Sequence, residues 1–335
     1  MTLANGAIAE SLIDVRNLSV RFPHGDETLV AVDEVTFMVG RREMVAIVGE
    51  SGSGKSMTGL AVMKLTPFGS VVTSDRVMFD GIDISKLGER AMRDIRGRRI
   101  AMIFQNPMSA LNPVLTIDRQ LTESLERHAG LEGRTAEKRA LELLELVEVA
   151  APQRVLDGYP HQLSGGMRQR VMIAIGLAGD PDLLVADEPT TALDVTVQSQ
   201  ILDLLTKIQT ATGMAILFIT HDLGIVAGVA DRVYVMYSGR ILEHGSVFDV
   251  FEHPAQPYTK ALLSTVRQLG DEATTRLSPI PGQPPSVRGE LIGCPFSPRC
   301  PVVIEECTAV TPELTLVASA HAAACHVAEK VVVSP

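Results

Sequence analysis

Along this chain, short uninterrupted apolar runs alternate with stretches in which apolar residues recur at helical spacing, the pattern of an α/β protein. Met44-Val45-Ala46-Ile47-Val48 is wholly apolar, which predicts a strand buried on both faces of a parallel sheet. Leu183-Leu184-Val185-Ala186 and Ala215-Ile216-Leu217-Phe218-Ile219-Thr220 read the same way. Residues 12–48 carry shorter runs, Ile13 to Arg16, Leu18 to Phe22 and Ala31 to Val39, which predict a small antiparallel β region. From Val77 the order is strand, turn at Asp80-Gly81, basic helix and a second apolar strand over residues 100–104. Residues 137–149 place Leu141, Leu144 and Val147 on one face with charges between them, and residues 114–160 read as a helical subdomain.

The residues that end the apolar runs carry the chemistry. Val48 leads into Gly49-Glu50-Ser51-Gly52-Ser53-Gly54-Lys55-Ser56, which fits G-x-x-x-x-G-K-S/T at every fixed position and is followed by the helix-forming Met57 to Met63. Glycines there let backbone N–H groups turn inward around an anion, and the helix points its positive end at the same place. Such a loop implies a nucleotide triphosphate, with Lys55 reaching the β- and γ-phosphates and the Ser56 hydroxyl on Mg²⁺. Gln105, directly after a strand, has the reach for Mg²⁺ or an attacking water. Leu163-Ser164-Gly165-Gly166-Met167 is a second glycine-bearing loop that opens a helix, able to present amides and a hydroxyl to phosphate oxygens or simply to cap that helix. Asp187-Glu188 ends the strand before it: Asp187 suits Mg²⁺, and Glu188 suits polarising water for attack on the γ-phosphate. His221 ends the last of the apolar strands, where an imidazole can bond a γ-phosphate. Phe22 stands in the polar turn Arg21 to Gly25, either as a ring that stacks on a base or as a strand-end core residue.

Composition narrows the class. A chain of 335 residues is long enough for two ordinary domains, and 46 % hydrophobic with 21 % charged residues is globular. A formal charge of −10 argues against a nucleic-acid surface as the main partner. No apolar run is long enough to span a bilayer, and residues 1–12 lack the start of a signal peptide, so any membrane role is expected through a partner.

Together these residues resemble the ABC ATPases. Gly49 to Ser56 is similar to that family's phosphate loop (Walker A), Leu163 to Met167 to its signature loop, and Leu184 to Glu188 to its Walker B strand. Gln105, Asp194 and His221 match its Q-, D- and H-loop residues, and Phe22 falls at its adenine-stacking aromatic. Met167 departs from the commoner Gln, leaving the donors Ser164, Gly165 and Gly166 intact. The resemblance implies an α/β P-loop ABC ATPase core, a mixed sheet with flanking helices, an antiparallel β subdomain and a helical subdomain over about residues 106–178. It also implies an ATP site built from Phe22, Gly49, Glu50, Ser51, Gly52, Ser53, Gly54, Lys55, Ser56, Gln105, Asp187 and His221, with Mg²⁺ on Ser56, Gln105 and Asp187 and catalysis by Glu188, His221 and Gln105. Two units pair head to tail in that family, so Ser164, Gly165 and Gly166 would meet the ATP of the other unit.

Flanking stretches narrow the resemblance. Residues 105–113 (Gln-Asn-Pro-Met-Ser-Ala-Leu-Asn-Pro), Tyr159-Pro160-His161-Gln162, His221-Asp222-Leu223-Gly224 and His253 to Thr259 are similar to the ATP-binding subunits of dipeptide and oligopeptide importers and their nickel-uptake relatives. The implied protein is a peripheral subunit at the cytoplasmic face of the cell membrane. Its implied partners are a second, paralogous ATPase, two transmembrane permeases and an extracytoplasmic peptide-binding protein, with no nucleic acid. A nickel or other small-solute motor, or a soluble ABC ATPase whose cysteine region binds nucleic acid, are the alternatives.

The expected boundary lies at residue 258: an ATPase domain over residues 12–258, then a small cysteine-rich extension over 259–335. It begins with a stiff linker, Pro279-Ile280-Pro281-Gly282-Gln283-Pro284-Pro285, and holds every cysteine of the chain, Cys294, Cys300, Cys307 and Cys325. Such a cluster suggests a metal site more than disulfides in a cytosolic chain, and its spacing lacks the C-x2-C pairs of common zinc modules. Iron–sulfur, zinc, disulfides and free thiols all stay open on the residues alone, with His321 and His326 as substitute ligands. The importer resemblance implies a 4Fe–4S cluster, in an extension that leaves the nucleotide site to form without it.

Overall fold

The computed structural model describes residues 11–25, 27–106, 110–191, 193–265, 280–283, 285, 289 and 292–328. Residues 1–10, residues 107–109 of the importer-like nonapeptide, Ala192, and Pro279 and Pro284 of the expected linker lie outside the described residues. The chain divides into two compact units, one holding Val39–Glu43 and Lys86–Phe218, the other Ile13–Met38, Met44–Ser85 and Ile219–Pro335.

In the first unit, strands Ile100–Ile103 and Leu183–Asp187 run parallel, pairing Ile100 with Leu183 and Ile103 with Ala186. Every residue of both strands is buried, as their continuous apolar character requires. Strand Ala215–Thr220 starts in this unit, its first N–H donating to Asp182 O at 2.9 Å, and the unit boundary falls inside it after Phe218. Helices Ile117–Ala129, Arg134–Leu146 and Pro152–Leu156 realise the expected helical region. The first buries Ile117, Leu121 and Leu125 at i, i+4 spacing. Thr116, whose side chain accepts the Arg119 N–H, starts it, and Gly130 at φ 67° stops it.

The second unit carries an antiparallel sheet with strand order Glu27–Gly40, Ser11–His24, Arg76–Phe79, Ile82–Asp83, and Val71–Thr73 also pairs with Ser11–His24. The turn at Asp80-Gly81 is there, both residues at positive φ. Two readings change. Asn17, at φ 50° with its N–H on Thr36 Oγ1, kinks one long strand where two were expected. Phe22 is a half-buried residue within Ser11–His24, so no polar turn isolates its ring.

The same unit joins Met44–Val48 to Arg232–Tyr237 in parallel, then adds Arg240–Ser246, His321–Ala324 and Leu314–Ala318 in antiparallel succession. The cysteine-bearing region is therefore continuous with the sheet that carries the phosphate loop. Cys294, Phe296 and Cys307 share one core with Ala46, Val48, Val233, Tyr237 and Tyr258. Beyond the expected boundary in sequence, this region still packs in the same core as the strand that leads into the phosphate loop. The physical reason is that Ala322, Ala323 and Ala324, small and buried, let a late strand close against Arg240–Ser246, and Phe296 packs against the paired rings of Tyr237 and Tyr258.

Candidate functional site

In the second unit, buried strand Met44–Val48 ends at Gly49, and helix Lys55–Val62 begins six residues later. Gly49 and Gly54 are required where they stand. A Cβ on Gly49 would lie 2.0 Å from Met236 O, and one on Gly54, at φ +101°, would lie 2.4 Å from Ala31 O. Lys55 is buried at 4 % exposure, its ammonium donating to Gly49 O at 2.7 Å, Glu50 O at 2.9 Å and Ser53 Oγ at 3.3 Å. Its charge is thus held at the mouth of the loop, at the start of a helix, where an anion is favoured. Ser51 and Gly52 are exposed, and Ser53 is buried.

Glu50 is turned differently from the rest of the loop. Its N–H donates to Tyr258 Oη at 2.9 Å, and its carboxylate takes two bonds from Arg299, at 2.6 and 3.0 Å. His221, just past strand Ala215–Thr220 in this unit, is exposed, and Asp222 caps the helix that follows by accepting the Gly224 N–H.

In the first unit, Leu183–Asp187 delivers Asp187 and Glu188, 5 % and 9 % exposed. Glu188 Oε2 accepts from Gln105 Nε2 at 2.8 Å and from Thr191 Oγ1 at 2.9 Å. Its backbone sits at φ 46°, a left-handed conformation that a non-glycine residue adopts at a cost and that clusters at functional sites. With its Nε2 on Glu188, the Gln105 amide keeps its oxygen for another partner. Ser164 caps helix Gly165–Gly176, accepting from Met167 N–H at 3.3 Å, and a Cβ on Gly166 would press on Val197 at 2.8 Å. Asp194 caps helix Val195–Thr212 in the same way, accepting from Val197 N–H at 2.9 Å. Sequence reading singled out Gln105, Ser164, Glu188 and Asp194 but missed Thr191, whose position three residues after Glu188 is its only signal.

All four cysteines are free thiols, so disulfides are excluded as their arrangement here. Burial, reinforced by the other three, pushes Cys294 up to about 11, and burial likewise raises Cys300 and Cys325. The expected metal site finds no support, because among the described residues no three His, Cys, Asp or Glu side chains are placed to hold a metal ion. The two substitute ligands are engaged elsewhere: His321 Nε2 lies 2.7 Å from Glu243 Oε1, and His326 Nε2 lies 2.9 Å from Val310 O.

Among the described residues no helix is long and apolar enough to cross a membrane. Residues 32–191 match the family described as ABC transporter, and residues 242–307 match the oligopeptide/dipeptide transporter, C-terminal region. The chain is 48 % identical over 334 residues to a protein of Sinorhizobium fredii named "Probable peptide ABC transporter ATP-binding protein", covering 99 % of each. It is 47 % identical to the dipeptide transport ATP-binding protein of Bacillus subtilis, covering 94 % of each. It is also 50 % identical to the oligopeptide transport ATP-binding protein of Mycobacterium tuberculosis, over 94 % of this chain but 51 % of that longer protein. Among solved structures, a dimeric ATP-binding cassette in a post-hydrolysis state, bound to ADP and phosphate, superposes with a TM-score of 0.63 at 30 % identity, covering 70 % of this chain and 98 % of that one. The chain belongs to the ATP-binding proteins of ABC transporters, in the branch that carries the oligopeptide/dipeptide transporter C-terminal region.

Proposed function

We propose that this chain is the ATP-hydrolysing subunit of an importer for dipeptides or oligopeptides, working from the cytoplasmic face of the membrane. The names of its relatives support peptide as cargo over nickel or another solute, and over a nucleic-acid role. The proposed partners are a second ATPase subunit of the same kind, two transmembrane permeases and an extracytoplasmic peptide-binding protein. The dimeric form of the solved cassette supports the first of these.

The residues divide the work as follows. Gly49 to Ser56 receives the phosphates, and Gly49 and Gly54 let the loop pass so close to Met236 O and Ala31 O that a Cβ would not fit, which supports a loop shape built on glycine. Phe22 stacks on the adenine. By the family resemblance, Ser56 of one compact unit and Asp187 and the amide oxygen of Gln105 of the other are the groups that would hold Mg²⁺, which when bound would neutralise the phosphate oxygens. Glu188 takes a proton from the attacking water, and His221 steadies the γ-phosphate. The observation that carries this reading is the Glu188 carboxylate, nearly buried on a strained backbone and aimed by Gln105 and Thr191. Ser164, Gly165 and Gly166 act on the ATP of the partner subunit. The isolated chain is accordingly expected to hydrolyse ATP feebly, and its rate to climb at least tenfold on assembly with partner ATPase and permeases. A strictly monomeric preparation with the full assembled rate would contradict it.

Four thiols drawn into one region, with the ionisation of Cys294, Cys300 and Cys325 opposed first by burial, suit a cationic group that favours thiolates. The proposed occupant is the 4Fe–4S cluster that the importer resemblance implies, on Cys294, Cys300, Cys307 and Cys325; the placement of these side chains in the structure does not itself support it. Protein purified without oxygen should then be brown and hold about four irons per chain. One zinc per chain, or no metal, would refute the cluster.

A further inference from the structure

Arg299 lies far from the phosphate loop in sequence and in none of the motifs read above. Its guanidinium has five N–H donors, and the structure occupies all five. Nη1 and Nη2 grip the two carboxylate oxygens of Glu50 as a fork, at 2.6 and 3.0 Å. Nε donates to Pro281 O at 2.7 Å, the second Nη2 proton to Ile280 O at 3.1 Å, and the second Nη1 proton to Tyr237 Oη at 3.1 Å. The Arg299 side chain is 4 % exposed and that of Glu50 25 %, so the guanidinium is shielded while the carboxylate is partly open to water. Hydrogen bonding to Glu50 is the largest of the influences that hold Arg299 firmly protonated.

The arginine is itself fixed by the cysteine-bearing segment. It ends the short 3-10 turn Ser297–Arg299 between Cys294 and Cys300, and the Cys294 N–H donates to Cys307 O at 2.7 Å. Phe296, 1 % exposed, anchors the turn against the rings of Tyr237 and Tyr258, at centroid distances of 5.5 and 5.3 Å. Tyr258 in turn accepts the Glu50 N–H. Glu50 is therefore held at its N–H and its carboxylate from the C-terminal side of the chain, while its carbonyl oxygen accepts from Lys55 Nζ.

We propose that Arg299 is a positioning residue for the phosphate loop, acting through Glu50 to set nucleotide affinity and so making the loop's geometry depend on the cysteine-bearing segment. The inference rests on Gly49 to Ser56 being the phosphate cradle. A brace that served only stability would leave affinity alone in any folded variant. A loop aimer instead changes affinity while the chain stays folded, and does so only while Glu50 is present to transmit it.

The test measures binding of Mg²⁺-ATP to the full chain, with thermal unfolding recorded for each variant, for Arg299→Ala, Arg299→Lys, Glu50→Gln and the double variant Glu50→Gln/Arg299→Ala. Truncating one member of this partly buried charge pair is expected to weaken ATP binding about tenfold. The double variant should bind no more weakly than the weaker single, since both act on one contact. Arg299→Lys keeps the charge but loses the fork and should fall between wild type and Arg299→Ala. Wild-type affinity in folded Arg299→Ala overturns the proposal, as do losses that simply multiply in the double variant. If Arg299→Ala does not fold, wild-type affinity in Arg299→Lys overturns it instead. Lys55→Ala, run alongside, checks the cradle separately: if it binds ATP normally, the cradle reading fails whatever Arg299 does.

Discussion

Glu188→Gln in the assembled transporter should retain ATP affinity and lose nearly all turnover, accumulating a closed, ATP-bound dimer. Glutamine keeps the shape of the side chain and an oxygen that can still accept from Gln105 Nε2 and Thr191 Oγ1, so the two contacts that aim it survive. What it lacks is basicity. A positioned general base contributes ~10²–10⁴-fold, and a loss of that order in kcat is expected. Binding is spared because Glu188 faces the water and not the phosphates in the proposed arrangement. Near-normal turnover would remove Glu188 from the role, and a parallel loss of affinity would show that it binds nucleotide.

Lys55→Ala should fail at the earlier step. The Lys55 ammonium, 4 % exposed, is ringed by Gly49 O, Glu50 O and Ser53 Oγ, so it is already desolvated and placed at the loop before any phosphate arrives. Charge-assisted hydrogen bonds contribute ~1.5–3 kcal/mol each. Since ~1.4 kcal/mol is a factor of ten, removing two such bonds to phosphate weakens ATP binding by about two to four orders of magnitude. Removing Lys55 also takes its donor from Gly49 O, while Glu50 O keeps the Ser53 N–H, and this loosens the cradle itself. Titration of the variant with Mg²⁺-ATP checks this, and an affinity within threefold of wild type would contradict it.

The parts of the site that could be read in the sequence are those whose chemistry is local. Gly49 to Ser56 is one turn and the start of one helix, and its glycines are demanded by carbonyls that lie close by, Met236 O and Ala31 O. Ser164 and Asp194 follow the ordinary grammar of helix starts, each accepting an N–H three residues on. Glu188 is legible as the polar end of a buried strand. The contacts that were not legible join residues distant in sequence: Tyr258 and Arg299 meet Glu50, and no periodicity connects them. Composition also misleads about the C-terminal region. A proline-rich stretch followed by few large apolar residues reads as a separate module, whereas Phe296 and three alanines are enough to seat it in the core shared with Tyr237 and Tyr258. Phe22 illustrates a smaller limit, because Pro23 and His24 suggest a turn where the strand runs on to His24.

Because Cys294 and Cys307 are core residues of the unit that holds the phosphate loop, cysteine replacement is expected to disturb nucleotide binding as well as any cluster. Iron content and ATP affinity should therefore be measured on the same preparations.

The central claim is that this chain drives peptide import by hydrolysing ATP. The most direct measurement is uptake of labelled peptide into vesicles reconstituted with the permeases, the peptide-binding protein and both ATPase subunits. Uptake should require ATP inside the complex's cytoplasmic compartment, should proceed with hydrolysis, and should stop when this subunit carries Glu188→Gln. Peptide accumulation that continues at the wild-type rate with that variant, or without this subunit, would contradict the account.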